Sequence, residues 1–232
     1  GYDVVWSSDG WADFEPAHHF PISQGAVVLQ GAAVNGESAV VAVDIPRTLL
    51  RVDVLLDGID LPSATASGYD LGTLRLRHVD TGTTTTLGTI TTGMPSTKTL
   101  QGPIAPGTYD LLWDSDGWAD FEPAHHFPIN KGGVVMKGVV VSGATKTLEA
   151  DIRRTVATLD VTLDGAPLPA SSSSGYDLGT LALRHADTDA TTWLGSVAPG
   201  MSSDSTFSGP LMPGSYDLLW SSDGWAVLEP AH

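Results

Sequence analysis

The chain contains no cysteine, and positively charged residues are scarce. The first absence excludes disulfide bonds, thiol catalysis and thiolate metal sites. Only 11 Lys and Arg residues stand against 27 Asp and Glu residues, which gives a formal net charge of −16. Because phosphate binding requires clustered cationic side chains, this balance argues against nucleic acid and against an anionic membrane surface. No apolar run approaches the roughly 20 residues of a membrane-spanning helix, so no membrane insertion is expected within this segment.

The composition is that of a folded chain with many turns. Of its 232 residues 41% are hydrophobic, and 26 Gly and 15 Pro provide turn positions, which is not typical of a disordered acidic tail. The chain has no initiator Met and no signal peptide. It opens on GYDVVW, which resembles a last strand, and stops at His232 inside a repeated motif. We therefore expect a slice of a longer protein or a processed fragment.

An internal repeat of 107 residues organises the sequence. Tyr2, Tyr109 and Tyr216 each begin a YDVVW or YDLLW segment, and the spacing is 107 in both steps (109 − 2 and 216 − 109). The segment GYDLGTL at 68–74 recurs at 175–181 with the same offset. A period of this length is too long for one supersecondary unit and has the size of a small domain. The sequence therefore predicts tandem domains.

Each repeat is predicted to be all-β. Short segments that alternate apolar and polar residues, as half-buried strands do, are separated by turn signals such as DGAPLP, SSSSG and MPG. In the second copy these segments are 134–141, 145–152, 156–165, 178–185, 191–197, 205–211 and 216–220. Seven short strands with frequent turns favour an antiparallel β-sandwich.

The segments VTLDGAPLP, LGTLALRHADT and STFSGPLMPGSYDLLW give the repeats a family resemblance. They resemble the bacterial β-sandwich modules related to carboxypeptidase regulatory-like, prealbumin-like and Cna-B-type domains. The resemblance covers the later two-thirds of each repeat and implies an Ig-like, prealbumin-like sandwich with a stalk, spacer or adhesive role on an exported protein. Some Cna-B-type domains carry a Lys–Asn bond, but no Lys is shared between the two copies, so a repeated bond of this kind is not expected.

The most constant stretch lies between the predicted sandwiches. Residues 11–22 and 118–129 are identical at all 12 positions, WADFEPAHHFPI, whereas 26–50 and 133–157 share only nine of 25. Large aromatic side chains favour burial and Pro stiffens the backbone, so we interpret the stretch as a rigid interdomain joint rather than a flexible linker. The predicted joint residues are Trp11, Phe14, Pro16, Phe20, Trp118, Phe121, Pro123, Phe127 and Trp225.

This interpretation divides the chain into five parts. Residues 1–25 are the last strand of a preceding repeat with its joint, 26–113 the first sandwich, 114–132 the next joint, 133–220 the second sandwich, and 221–232 the start of a further joint. A fibre would use the same joint between chains, since a chain that begins with a strand and ends in half a motif can complete its neighbour.

The joint motif also raises a metal hypothesis. The run DSDG, followed by Asp and Glu, resembles the start of a calcium loop, although Gly117 comes too early for an EF-hand. Imidazole with a carboxylate three residues earlier suits a transition metal. The alternatives are an Asp-Gly turn and a His packed among aromatic residues. No cofactor is required by the sequence. The metal-candidate residues are Asp9, Glu15, His18, Asp116, Glu122 and His125.

A carbohydrate site is the second binding hypothesis, because Trp11 or Trp118 flanked by acidic residues provides a stacking platform for a sugar ring.

Catalysis is not predicted, since no nucleophile-elbow, zincin, phosphate-loop or dinucleotide motif is present. We therefore expect a non-enzymatic segment of an extracellular or cell-surface fibre, stalk or adhesin with stiff joints. Its expected partners are further repeats and copies of itself, and the alternative is a carbohydrate- or metal-binding module.

Overall fold

A computed structural model describes residues 1–8, 14–61, 71–91, 99–115, 126–169, 179–198, 200 and 206–222. Within these ranges the chain is all-β, as predicted, and forms no helix. No helix of the described part is therefore long and apolar enough to cross a membrane. The strands are β1 (Tyr2–Trp6), β2 (Ala26–Ala32), β3 (Thr48–Leu56), β4 (Leu71–His78), β5 (Thr84–Thr91), β6 (Thr99–Ile104), β7 (Gly107–Ser115), β8 (Gly133–Val141), β9 (Thr145–Ile152), β10 (Thr155–Asp160), β11 (Gly179–His185), β12 (Thr191–Val197), β13 (Thr206–Leu211) and β14 (Tyr216–Ser222).

Strands β3 to β9 form two sheets around one hydrophobic core, and we call them the first sheet pair. One sheet has the order β5-β4-β7-β8 and is antiparallel throughout. The other has the order β6-β3-β9, in which β3 is antiparallel to β6 and parallel to β9. All seven strands contribute buried side chains to the shared core, an arrangement consistent with a β-sandwich.

The alternation predicted from the sequence explains how these strands build the core. In β3, Leu50, Val52, Val54 and Leu56 are buried while the residues between them are more exposed. Successive side chains of a strand point to opposite faces, so an apolar residue at every second position lines one face. Full burial of each such side chain contributes about 1.5–3 kcal/mol.

Strands β10 to β14 form the second sheet pair, in which β10 pairs with β13 and β11 lies between β12 and β14. Each of these five strands follows its counterpart in the first sheet pair by 107 residues, as β10 follows β3 (155 − 48). At the other end of the chain, β1 and β2 form a two-stranded sheet whose strands repeat β7 and β8. Residues 38–45, which repeat β9 in sequence, form no strand.

The strand pairing groups the residues differently from the predicted division of the chain. The predicted joint, 114–132, begins in the last two residues of β7 and leads into β8, and these two strands are hydrogen-bonded neighbours in one sheet. Strands β8 and β9 therefore pack with strands that precede the joint. The chain passes from the first sheet pair to the second between Ile152 and Thr155, where β9 ends and β10 begins.

Candidate functional site

The second half of the joint motif forms a buried connection at each end of the first sheet pair. We call residues 20–25 (FPISQG) and 127–132 (FPINKG) the docking segments. In each, the Pro carbonyl accepts a hydrogen bond from the Trp of the preceding YDxxW strand, with a distance of 2.8 Å for Trp6 to Pro21 and for Trp113 to Pro128. Each Trp ring also lies close to the Phe of its segment, with centroid separations of 5.4 Å and 5.2 Å. One side of the docking segment is therefore fixed to the strand before it.

The other side of each docking segment binds the following sheet pair. The Ile22 amide donates to the Pro103 carbonyl at 3.0 Å, and the Ile129 amide donates to the Pro210 carbonyl at 3.0 Å. Two residues later, the amides of Gln24 and Lys131 donate to the hydroxyls of Thr85 and Thr192, both at 2.9 Å. The two junctions thus use the same contacts at positions 107 residues apart.

A buried polar side chain completes each junction. Ser23 Oγ accepts a hydrogen bond from the Ala105 amide at 2.8 Å, and Asn130 Oδ1 accepts one from the Met212 amide at 2.6 Å. Ser23 and Asn130 are both fully buried. Without these bonds the two buried amides would have no hydrogen-bond partner, so loss of either bond would destabilise the protein.

A tyrosine hydroxyl extends each polar cluster. Tyr109 donates to the Ala105 carbonyl at 2.8 Å, and Tyr216 donates to the Met212 carbonyl at 2.7 Å. Burial raises the pKa of both tyrosines above its ordinary value, and the hydrogen bonds with Ser23 and Asn130 oppose the rise. The neutral hydroxyl is therefore the form that fits the junction.

The second docking segment contributes side chains to two different cores. Phe127 is 2% exposed and belongs to the core of the first sheet pair, whereas Ile129 is 2% exposed and belongs to the core of the second. Met212, from the turn between β13 and β14, packs in the opposite direction into the first core. The two cores are therefore interlocked through this junction.

The side chains at two facing positions differ in size between the two junctions. At the second junction, a Cβ added to Gly133 would overlap Met212 Sδ. The equivalent positions at the first junction are Ala26 and Ala105, both of which are buried. A large residue opposite Gly at one junction thus corresponds to two small residues at the other, as expected of a close-packed contact.

An arginine at the point where the chain enters the next sheet pair binds the residues just before each docking segment. Arg47 Nη1 donates to the carbonyls of His18 and His19 at 3.0 and 2.8 Å, and Arg154 Nη1 donates to the His126 carbonyl at 2.7 Å. Arg154 also forms a salt bridge of 2.6 Å with Asp57, in the turn after β3. The entering strand and the residues that lead into the docking segment are thereby held together at both junctions.

The second junction has a further charged contact. Lys137 of β8 forms a salt bridge of 2.8 Å with Asp187 of the second sheet pair and lowers the pKa of that carboxyl. Nearby His185 is buried against Tyr216, with ring centroids 5.1 Å apart. Burial lowers the pKa of His185, Asp187 opposes the effect, and Lys137 and Arg77 across the junction add to it. At the first junction Gln30 replaces Lys137, so this salt bridge is specific to the second.

The predicted joint residues differ in their placement. Phe127 is buried, Phe14 packs against the first core beside Gly102, and Pro16 is exposed. Phe20 is 61% exposed, although it stacks on Trp6, because the strands that bury Phe127 have no counterparts around β1 and β2 in the described residues. The predicted joint residues outside the described ranges are Trp11, Trp118, Phe121, Pro123 and Trp225.

Only two of the metal-candidate residues fall in the described ranges. Glu15 is exposed and His18 half-buried, and the His18 amide donates to the Glu15 carbonyl at 3.3 Å, which closes a turn. Among the residues that the structure describes, no group of three or more His, Asp or Glu side chains is arranged to hold a metal ion. The candidates Asp9, Asp116, Glu122 and His125 lie outside these residues.

The sequence interpretation missed several junction residues. Asn130 and Ser23 lie just beyond the 12 identical positions and differ from each other, so sequence identity did not mark them. A signal was available for the arginines, because Arg47 and Arg154 are among the nine identities in otherwise divergent strands. Trp6 and Trp113 end the repeated YDxxW segments, but the repeat alone does not indicate their hydrogen bonds to the docking segments.

No protein-family model matches the chain, and no curated protein sequence does either. Three solved structures show partial likeness. They are a leucine-rich repeat protein from Bacteroides thetaiotaomicron (12% identity, TM-score 0.25), the Bacillus anthracis TIE protein (10%, 0.27) and a DUF3823 family protein from Bacteroides uniformis (12%, 0.26). The alignments cover 76%, 79% and 76% of this chain, and 22%, 30% and 83% of the respective structures. The chain thus spans less than a third of the first two.

Proposed function

We propose that the chain is a non-enzymatic structural segment of an extracellular fibre, stalk or adhesin, built from tandem Ig-like β-sandwich units. Each unit contains seven strands equivalent to β3 to β9, so a complete unit extends from Thr48 to Ile152 and the next begins at Thr155. The repeat of 107 residues supports this division, because five of the seven strands, β3 to β7, recur in the same order as β10 to β14. The role of the unit is to extend the protein and hold its neighbours at one orientation.

The observation that carries the proposal is the burial of the second docking segment in two cores. A flexible linker leaves adjacent domains free to rotate, whereas a segment with Phe127 in one core and Ile129 in the next resists rotation. Burial of these two side chains contributes about 3–6 kcal/mol, taking roughly 1.5–3 kcal/mol for each. That is enough to favour one orientation over others by a factor of more than 100.

The acidic composition fits a surface location. A net charge of −16 keeps extended chains soluble and mutually repelling, and a chain without Cys does not depend on oxidative folding. The alternative function, a carbohydrate or metal site around Trp118 and Glu122, stays a prediction, because both residues lie outside the described ranges.

Residual dipolar couplings of the isotopically labelled chain test the proposal. We expect the amides of β3 to β9 and those of β10 to β14 to share a single alignment tensor, because rigidly joined units tumble as one body. A smaller alignment magnitude in one sheet pair than in the other would show independent motion and would overturn the proposed role.

A further inference from the structure

A large aromatic side chain lies exposed on the outer face of the second sheet pair. Trp193 of β12 is 51% exposed, and no aromatic ring of the described residues stacks on it. Its neighbours Thr192 and Leu194 are buried, so the alternation of the strand directs the indole away from the core. The same face is open in a complete unit, because Thr86 at the equivalent position of the first sheet pair is exposed although all seven strands are present there.

The residues beside Trp193 also differ from those of the first sheet pair. There Thr86 lies opposite Arg75, which forms a salt bridge of 3.0 Å with Asp114. The equivalent residues of the second sheet pair are Trp193, Ala182 and Ser221. Because the residue opposite Trp193 is the small Ala182, the space that an arginine side chain takes up in the first sheet pair is open beside the indole. The indole is therefore accessible to a flat ligand.

The turn between β11 and β12 carries a carboxylate that the other copy lacks. Asp189 corresponds to Gly82, and the amides of both donate to the carbonyl of the His that ends the preceding strand, at 2.9 and 2.8 Å. Both residues have a positive φ, 57° for Asp189 and 69° for Gly82. A left-handed backbone favours Gly, so the turn itself gives no reason for a carboxylate at this position. The Asp189 side chain is 86% exposed.

A guanidinium lies next to this carboxylate and near the indole. Arg184 Nε is 3.5 Å from Asp189 Oδ1, and Arg184 Nη2 is 2.7 Å from Asp217 Oδ2. Arg184 lies opposite Thr191, two residues from Trp193 on the same face of the sheet. Such diagonal neighbours are about 7–8 Å apart, which long side chains can span. An aromatic ring, a carboxylate and a guanidinium thus share one end of this face.

The second junction holds the turn in position. Thr188 Oγ1 donates to the Gly132 carbonyl at 3.0 Å, and Thr192 Oγ1 accepts from the Lys131 amide at 2.9 Å. Both contacts attach the ends of the turn to the docking segment. A site on a turn that is already ordered loses little conformational freedom when a ligand binds.

The chemistry of these groups determines which ligand fits. The apolar face of a sugar ring stacks on an indole, the carboxylate accepts hydrogen bonds from hydroxyl groups, and the guanidinium donates to them. A net charge of −16 repels anionic ligands, and Arg184 beside the ring repels cationic ones. A neutral compound with several hydroxyl groups is therefore favoured.

We propose that the outer face of the second sheet pair binds a neutral glycan, with one sugar ring stacked on Trp193 and neighbouring hydroxyl groups bound by Asp189 and Arg184. This site is additional to the proposed structural role and does not depend on it. It is also distinct from the carbohydrate hypothesis at the joints, which places the sugar on Trp11 or Trp118.

Nuclear magnetic resonance titration of the isotopically labelled 232-residue chain tests the site. The probes are neutral oligosaccharides of glucose, mannose, galactose and N-acetylglucosamine at millimolar concentration. We expect at least one of them to shift the indole N–H resonance of Trp193, and oligomers of galacturonic acid to bind more weakly because the chain is acidic. Absence of a shift with every neutral probe would overturn the inference.

Variants that borrow residues from the first sheet pair assign the binding to this face. Trp193→Thr introduces the residue found at the equivalent position, so the protein should fold normally and show no detectable binding. Asp189→Gly should weaken binding by about tenfold, since it removes a hydrogen bond to a charged group. Thr86→Ala is the matched control and should bind like the unchanged chain. Unaltered binding in Trp193→Thr would place the sugar elsewhere and overturn the inference.

Transfer of the site to the first sheet pair provides the converse test, because Arg77 is already present there. Three further changes in a Trp193→Thr chain rebuild the site: Gly82→Asp, Arg75→Ala and Thr86→Trp. This chain should regain binding, whereas a chain that keeps Arg75 opposite the new Trp should not. A rebuilt chain without binding, or equal binding by both chains, would contradict the roles assigned to these residues. Failure of the proposed function appears instead as independent motion of the sheet pairs, so the two failures are distinguishable.

Discussion

Phe127 and Ile129 are two residues apart in the chain, yet their side chains are buried in different hydrophobic cores. The main chain between them is held on both sides, because the Pro128 carbonyl accepts from Trp113 and the Ile129 amide donates to Pro210. A stretch that the sequence marks as a link between domains is therefore part of the interior of both sheet pairs.

The contribution of Phe127 to stability can be measured by comparison with Phe20, the equivalent residue of the other copy. Phe127→Ala removes a side chain that is 2% exposed, so we expect a loss of about 3–5 kcal/mol in the free energy of unfolding. Phe20→Ala is the control, because Phe20 is 61% exposed and its loss should cost less than about 1 kcal/mol. Urea unfolding of the two variants gives both values. Equal losses would contradict the interlocked junction.

At position 130, only a residue that accepts a hydrogen bond from the Met212 amide should preserve the stability of the protein. Asn130→Ala leaves this buried amide unsatisfied, with an expected cost of about 1–3 kcal/mol. Asn130→Ser restores the combination at the first junction, where Ser23 binds the Ala105 amide, and should recover part of the loss. Thermal unfolding of the two variants decides the point, and a serine variant no more stable than the alanine variant would refute it.

Gly133 and Met212 should be energetically coupled. Gly133→Ala alone forces its new Cβ against Met212 Sδ, for which overpacking predicts a cost of about 1–3 kcal/mol. Met212→Ala removes the obstruction and reproduces the pair Ala26 and Ala105. A double-mutant cycle should therefore show a favourable coupling of about 0.5–3 kcal/mol. Strict additivity of the two changes would show that they do not share a packing contact.

Acidification should weaken the second junction through His185. Because its pKa is lower in the folded protein than in the unfolded chain, the histidine contributes stability that is fully present above its unfolded pKa of about 6.5. That stability decreases as the pH falls below this value and the unfolded state binds the proton. We expect a lower melting temperature at pH 5.5 than at pH 7.5, and a smaller difference in His185→Gln. An unchanged difference would assign the pH effect to other groups.

The sequence was sufficient to predict the 107-residue repeat and the all-β character of the chain. In β3, for example, the apolar residues at every second position are the ones that the structure buries. Which strands pair could not be predicted, because periodicity identifies a buried face but not the partner of an edge. For that reason the sequence predicts a rigid joint between two sandwiches at 114–132, whereas the structure places β7 and β8, the strands on either side of it, next to each other in one sheet.

The junction could be predicted only in part for a related reason. Identical residues mark contacts that both copies make with the same side chains, such as Phe127 on Trp113. Other contacts join residues that both differ between the two copies, such as Ser23 with Ala105 and Asn130 with Met212. Sequence identity does not mark these contacts, because in each pair a side-chain oxygen binds a backbone amide that any residue can supply.

The distance distribution between spin labels on the two sheet pairs tests the central claim most directly. Thr86 and Ser196 are exposed on β5 and β12, and the absence of native Cys allows both to be labelled specifically after change to Cys. The account predicts one narrow distribution, a broad one when Ile129→Ser removes the anchor in the second core, and no broadening with Phe20→Ser. A distribution that is already broad with the docking segment intact would show that the junction does not fix the orientation of the two sheet pairs.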